Sequence, residues 1–388
     1  CTKCGRCSEV CSAKASGRDL DPRDVILDLK RYKDELDSGS GSRRPIISDG
    51  GSVISIGSMD SCMSCLACVD ACPVGIEHVT QFTEMNRRLV ESGKLNENLQ
   101  SIMTDIFTHG NSFGLSERKR PEWTNDLPFT IPDARDSKVQ YLWYVGDLPS
   151  YDPRNQKIAI ALAHIFHEAG ISYGILYESE KNDGNDVRRI GEEGLYEMLA
   201  EGNIELFNQC DFETIVCTDP HSYNTIKNEY SQFGFEVDVC HYTSMLEDLV
   251  NSGKLTIPPS LDYSVTYHDP CHLGRYNHEY ESPRELIQKT GCVLHEMPRN
   301  RRNSFCCGGG GGGLWMDFPD TKKPSEERLR EALEDTKKAA EKFVVSCPQC
   351  MTMYEDGRKT GGFENQLEII DVAELVAEAI ITNNLTKA

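Results

Sequence analysis

The chain has 388 residues with a formal charge of −21 at pH 7, and 17 of its residues are cysteine. That length allows two or three domains with sizeable cores, and the acidic balance argues against nucleic acid as a partner, because nothing supplies a phosphate-neutralising basic surface. A membrane-spanning helix needs about 18 apolar residues; the longest apolar run, Ile158 to Phe166, has nine and contains a histidine, so a soluble chain is expected.

Thirteen of the cysteines fall in C-x2-C, CC or matching positions, which suits metal ligation better than disulfides and implies a reducing compartment. Residues 1 to 11 read Cys1-x2-Cys4-x2-Cys7-x3-Cys11, and residues 62 to 72 repeat the run as Cys62, Cys65, Cys68 and Cys72, followed by Pro73. A doubled run of this kind is the signature of a bacterial two-cluster ferredoxin, in which three cysteines of one run and the last of the other hold each [4Fe-4S] cube. Cys1, Cys4, Cys7 and Cys72 are therefore assigned to one cubane cluster, and Cys62, Cys65, Cys68 and Cys11 to the other. Zinc, which takes only four ligands, fits the doubled run poorly. Ser12 stands where the pattern often has proline, which stiffens the turn without ligating. The chain opens on a ligand cysteine without an initiator methionine, so further sequence is expected upstream.

Asp21 and Pro22 read as the cap and first residue of a helix carrying Val25, Ile26 and Leu29. The Ser- and Gly-rich stretch Asp37 to Arg44 reads as a loop. A second amphipathic helix carries Ile76, Val79, Phe82, Met85 and Leu89 and ends near Gly93. Residues 94 to 138 are polar, hold Pro121, Pro128 and Pro132, and read as a linker in which Arg118-Lys119-Arg120 is a solvated turn. From Gln140, short β-rich runs alternate with helical ones: Tyr141 to Val145, Lys157 to Glu168, Ile171 to Tyr177, Glu192 to Glu201 and Thr214 to Cys217. This predicts a layered α/β domain with a largely parallel sheet.

The last third of the chain reads Cys271-x34-Cys306-Cys307-x39-Cys347-x2-Cys350. Adjacent side chains diverge from a regular strand or helix, so a Cys-Cys-Gly turn offers two thiolates to a multi-iron centre rather than to a single ion. The pattern resembles the cysteine-rich CCG domain of heterodisulfide reductase subunits and of the iron–sulfur subunits of lactate and glycerol 3-phosphate dehydrogenases. That resemblance implies a CCG-bound [4Fe-4S] cluster on these five cysteines, non-cubane in some relatives. The Cys307 to Cys347 interval is slightly long, and the loop of six glycines, Gly308 to Gly313, is expected to absorb the excess. The loop satisfies G-x-G-x-x-G only as a homopolymer, so a flavin or nicotinamide site is not expected there. His268 and His272 flank Cys271 and are candidates to donate a hydrogen bond to cluster sulfur or to carry protons. Cys210, Cys217, Cys240 and Cys292 read as buried thiols. Helices are expected over Ser325 to Lys342 and Ile369 to Ile381.

The unit before it lays over this one with Asp147 under Cys271, Asn182 and Asp183 under Cys306 and Cys307, Gly184 under Gly308, and Asp219-Pro220-His221-Ser222 under Cys347-Pro348-Gln349-Cys350. Every ligand has been exchanged, and without soft sulfur donors no iron–sulfur cluster is expected there. A hard cation on Asp147, Asp183 and Asp219 is a minor alternative to a cluster-free scaffold.

Cys-Gly-Arg-Cys with Ala-Ser-Gly-Arg-Asp-Leu, Cys-Pro-Val-Gly-Ile-Glu-His and Tyr-His-Asp-Pro-Cys-His-Leu-Gly-Arg-Tyr-Asn narrow the resemblance. They are similar to the soluble part of the heterodisulfide reductase D-like membrane oxidoreductases, which include the electron transfer flavoprotein:menaquinone oxidoreductases. The resemblance implies an α+β fold: a helical two-[4Fe-4S] ferredoxin domain (1–100), a linker (101–139), a degenerate CCG unit (140–260) and an intact one (261–388). It implies an iron–sulfur oxidoreductase module at the cytoplasmic side of the membrane. Its expected partners are electron transfer flavoprotein or another flavoprotein dehydrogenase, and a membrane cytochrome b-like domain or subunit with quinone. The alternatives are a heterodisulfide reductase catalytic subunit, the iron–sulfur subunit of a lactate, glycolate or glycerol 3-phosphate dehydrogenase, and, more remotely, an iron or redox sensor.

Overall fold

The helix Pro22–Asp37 is the first long element of the computed structural model, which describes residues 1–48, 50–319, 321–337 and 339–387, with side chains to 382. Asp21 caps it by accepting from Arg23 N at 3.0 Å, Pro22 presets its first turn, and Val25 and Tyr32 face inward. The helix His78–Glu91 buries Val79, Phe82, Met85 and Leu89 along one stripe. The short strands β1 (Ile47–Ser48) and β2 (Ile54–Ser55) pair beside these helices, whose Pro22, Val79 and Phe82 surround Cys11, Cys62, Cys65 and Cys68.

The stretch read as a polar linker carries structure. The helix Glu97–His109, capped by Asn96, buries Leu99, Met103 and Ile106, and Trp123 packs on Trp143 with ring centroids 5.5 Å apart. The basic triplet is not a solvated turn. Arg118 and Lys119 are exposed, but Arg120 is 3% exposed and is paired with Asp147 at 2.6 Å and Glu180 at 2.9 Å. Burial of a guanidinium requires such partners, and both lie more than twenty residues away, where a local reading does not reach.

Two four-stranded parallel sheets follow. The first comprises β3 (Tyr141–Tyr144), β4 (Tyr173–Gly174), β5 (Thr214–Cys217) and β6 (Asp238–His241), in the order β4-β3-β5-β6. The second comprises β7 (Ser264–Tyr267), β8 (Val293–Leu294), β9 (Lys342–Val345) and β10 (Glu368–Asp371), in the equivalent order β8-β7-β9-β10. Helices cover both faces, as parallel sheets require, and the inner strands are near-continuously buried, whereas the edge strands β6 and β8 are partly exposed. The two C-terminal helices differ from expectation. The first is Pro324–Asp335, so the expected helical run ends early and Lys342 opens β9; the second is Val372–Lys387, preceded by β10 where helix was expected from Ile369. Phe343-Val344-Val345 is too short an apolar run to separate strand from helix by periodicity alone.

In each sheet the chain steps from the first strand to one side and then returns to the other, which makes a topological switch point between β3 and β5, and another between β7 and β9. Crevices at the carboxyl ends of such strands are where ligands bind in open α/β sheets. The two units are tied to each other by Arg154, which pairs with Glu355 and Glu374, and by Tyr242, whose hydroxyl donates to Asp371 at 2.6 Å. Among the described residues no helix is long and apolar enough to cross a membrane.

Candidate metal centres

The x2 loops of the first two runs depend on left-handed backbone at single residues. Lys3, Ser64 and Leu66 have φ of 60°, 48° and 61°, and Gly5 has 83°. Such turns aim successive N–H groups at one point, favouring anionic sulfur. Lys3 N lies 3.4 Å from Cys1 Sγ, Ser64 N lies 3.5 Å from Cys62 Sγ and Ile76 N lies 3.4 Å from Cys72 Sγ. Cys11, from the first run, lines one small apolar cavity with Cys62, Cys65 and Cys68 of the second. Burial pushes the Cys11 and Cys62 thiols up to about 12, and neighbouring thiols add to the rise. Thiols so disposed ionise only when a cation compensates, which is the chemistry of an iron site. Cys7 faces Cys72 near the surface, where Cys1 and Cys4 are exposed.

The five remaining cysteines converge at the second switch point. Cys271 opens the short helix after β7, and Cys347 caps the helix after β9, its Sγ 3.4 Å from Cys350 N. Cys306 and Cys307 arrive on an extended loop, and Gly308, at φ 99°, turns its N–H to within 3.4 Å of Cys306 Sγ. All five are buried. Their thiols are close enough to shift one another's ionisation in sequence, Cys271 with Cys306, Cys306 with Cys307, and Cys350 with Cys307 and Cys347. Bonds from its neighbours hold the Cys307 thiol well below the usual thiol range.

Two guanidinium groups flank this set. Arg18 is 9% exposed, its Nε and Nη1 have no hydrogen-bond partner, and it lies beside Cys306 and Cys307; burial pulls it down to about 10. Arg275 is buried beside Cys65, Cys271 and Cys306, with Nη2 unpartnered. Buried guanidinium groups with unpartnered nitrogens next to a thiol cluster fit an anionic group such as a thiolate-bound iron–sulfur centre. The donor set and its surroundings therefore fit iron–sulfur clusters.

The ferredoxin part and the five-cysteine group touch directly. The Cys65 thiol lies beside that of Cys306, whose proximity, with burial, raises it well above the usual thiol range. Arg275 Nε donates to Cys65 O at 2.6 Å, and Tyr276 Oη donates to Ser64 O at 2.6 Å. Ser12 accepts from Cys306 N at 3.0 Å, so the residue standing in place of proline supplies a hydroxyl that joins the two parts. The six glycines do more than absorb chain length. A Cβ at Gly310 would lie 2.5 Å from Met63 O, and one at Gly311 would lie 2.4 Å from Cys62 O.

His268 and His272 are both within the site. His268 Nδ1 is 3.1 Å from Tyr354 Oη, and His272 Nδ1 is 3.4 Å from Cys271 Sγ. Burial pushes both imidazoles down, His268 to about 3, so they are neutral at neutral pH and hydrogen bonding is the role their environment favours. Arg18 and His221 also reach the five cysteines, and the sequence reading gave neither a role. The signal for His221 was its place opposite Gln349 in the overlay of the two units.

At the first switch point the carboxylates are already engaged. Asp147 accepts from Arg120, Ser112 N and Asn182 Nδ2, Asp183 accepts from Ser222, and Asp219 accepts from His221 N. These bonds hold the three carboxylates in place as a hydrogen-bonded scaffold. Of the four cysteines read as buried thiols, Cys217 and Cys292 are buried and Cys210 and Cys240 are half-buried.

Residues 1–76 match a 4Fe-4S dicluster domain, and residues 265–355 match the CCG cysteine-rich domain. The chain is 38% identical, over 99% of its length and 60% of the relative's, to a probable iron-sulfur-binding oxidoreductase, FadF, of Bacillus subtilis. It is 32% identical to an EtfAB:quinone oxidoreductase of Syntrophomonas wolfei, over 98% of this chain and 58% of the relative. It is 28% identical to a dihydromethanophenazine:CoB--CoM heterodisulfide reductase polypeptide of Methanosarcina acetivorans, over 98% of this chain and 93% of the relative. The chain thus spans about three fifths of the first two relatives.

Proposed function

The chain belongs with the CCG-domain iron–sulfur oxidoreductases, and on that premise we propose that it is an electron-transfer module linking a flavoprotein to a membrane quinone pool from the cytoplasmic side. Cys1, Cys4, Cys7 and Cys72 hold one [4Fe-4S] cube, Cys11, Cys62, Cys65 and Cys68 the second, and Cys271, Cys306, Cys307, Cys347 and Cys350 the CCG-bound cluster. When bound, these clusters supply one-electron redox chemistry, while the protein provides ligands, spacing and insulation. The observation that carries the reading is the gradient of exposure with a direct contact at its inner end: Cys1 and Cys4 are open to solvent, and Cys65 meets Cys306 in the interior. Arg275 and Tyr276 clamp that inner junction, and Ser12 fixes the Cys306 backbone to the ferredoxin.

The first α/β unit is a CCG unit that has lost its thiolates. Its strand order is that of the second unit, Gly184 and Gly308 share a positive φ of 83° and 99°, and Asp219 and Cys347 each cap the helix that follows the third strand. The EtfAB:quinone oxidoreductase relative supports a flavoprotein donor and a quinone acceptor. A second reading, a heterodisulfide reductase catalytic subunit, draws on the 93% coverage of the Methanosarcina acetivorans relative. Loss of one ligand set weighs against it, because two-electron cleavage of a disulfide is better served by two intact centres.

Rapid mixing of the purified, cluster-loaded protein with reduced electron transfer flavoprotein should bleach its iron–sulfur absorbance, while a heterodisulfide should leave the reduced protein unoxidised. Oxidation by the disulfide without reduction by the flavoprotein would replace the first reading with the second. Iron analysis should give about twelve irons per chain, from three four-iron centres.

A further inference from the structure

Asp219 and His221 of the first unit have no part in the electron path, yet they meet the CCG cysteines. Asp219 accepts from His221 N at 2.7 Å, and its Oδ1 lies 2.6 Å from His221 Nδ1, so the imidazole is fixed by its own helix cap. The ring is 6% exposed and is turned towards the second unit. Its Nδ1 is 3.9 Å from Cys347 Sγ, and its centroid is 4.0 Å from that of His272. One ring nitrogen of His221, one of His272 and Cys271 Sγ all lie within 4.8 Å of one another.

His272 is anchored by its stack on Tyr276, with centroids 4.2 Å apart, while its buried Nε2 has no hydrogen-bond partner. An orphaned nitrogen on a buried imidazole that lies beside the Cys271 thiol and a second imidazole marks a place where a further polar group belongs. The ferredoxin meets the five cysteines through Cys306, whereas His221 meets them at Cys271 and Cys347. The exchange between units is reciprocal: Gln349, the counterpart of His221, lines the cavity over Asp147, Asp183 and Asp219.

We infer that His221, held by Asp219, is a nitrogen contact to the CCG-bound cluster at its Cys271 and Cys347 edge, so that the unit without thiolates completes the centre of the other. This rests on the reading that a cluster occupies the five cysteines. Asp219 acts through His221 and is a positioning residue.

The test is pulsed EPR of the CCG-centre signal in full-length, cluster-loaded protein grown with 15N-histidine. A labelled-histidine coupling should be present in the parent protein, persist in H272F and disappear in H221Q. D219N should alter that coupling and shift the midpoint potential of the CCG centre, leaving the potentials of the two ferredoxin centres unchanged. If H221Q fails to load its third centre, H272F still reads the coupling of His221. A coupling lost in H272F, or retained in H221Q, overturns the inference with the cluster reading intact. About eight irons per chain in the parent protein, with no third signal, would overturn both.

Discussion

Arg120 lies between Asp147 and Glu180, and all three side chains are under a tenth exposed. Removing one partner from a buried ionic group strands charge in a poorly polarisable interior, so Arg120→Ala should cost about 3 to 5 kcal/mol. Arg118→Ala or Lys119→Ala, on the exposed side of the same turn, should stay within about 0.5 kcal/mol of the parent. Denaturant titration of the three variants measures the difference. Asp371, fully buried, accepts from Tyr242 Oη and Ala373 N, yet burial still raises its carboxyl to about 7. Because the folded-state value lies above the unfolded one, its contribution to stability is complete below about pH 4 and is lost as pH rises through about 7. Asp183, also raised to about 7 by burial, adds a slope of the same sign. Asp371→Asn should flatten the decline in apparent Tm between about pH 4 and pH 7, and an unchanged slope would assign the titration elsewhere.

At the scale of elements, the glycine loop and the second cysteine run form one packed unit. Gly311 has φ 62°, and its Cα faces Cys62 O so closely that a methyl group would sit 2.4 Å away. Gly311→Ala should therefore destabilise by about 1 to 3 kcal/mol through overpacking and a left-handed backbone. It should also change the EPR signal of the cube held by Cys62 while sparing that of the exposed cube. The helices Pro22–Asp37 and His78–Glu91 were readable because their caps and apolar stripes are local signals. The helix Glu97–His109 carried the same signal in Leu99, Met103 and Ile106, but the prolines that follow it drew the whole stretch into a linker reading.

For the whole molecule, exposure decreases from Cys1 and Cys4 to the five CCG cysteines, so chemical lability should follow the same direction. Limited ferricyanide treatment should release about four irons first, with the CCG signal unchanged, as iron assay and EPR on the same sample would register. Early loss of the CCG signal would contradict that order.

The cysteine motifs and the parallel α/β character were legible because motif spacing and strand periodicity are written within short stretches. The cross-over that brings Cys11 to Cys62, Cys65 and Cys68 was legible too, since the doubled run carries its own pairing rule. Ser12 at Cys306, Arg18 beside the Cys-Cys pair, Arg120 in the interior and His221 against Cys347 were decided only by the tertiary structure. Each joins residues of separate elements, and a side chain acquires such a partner through packing that no local pattern encodes.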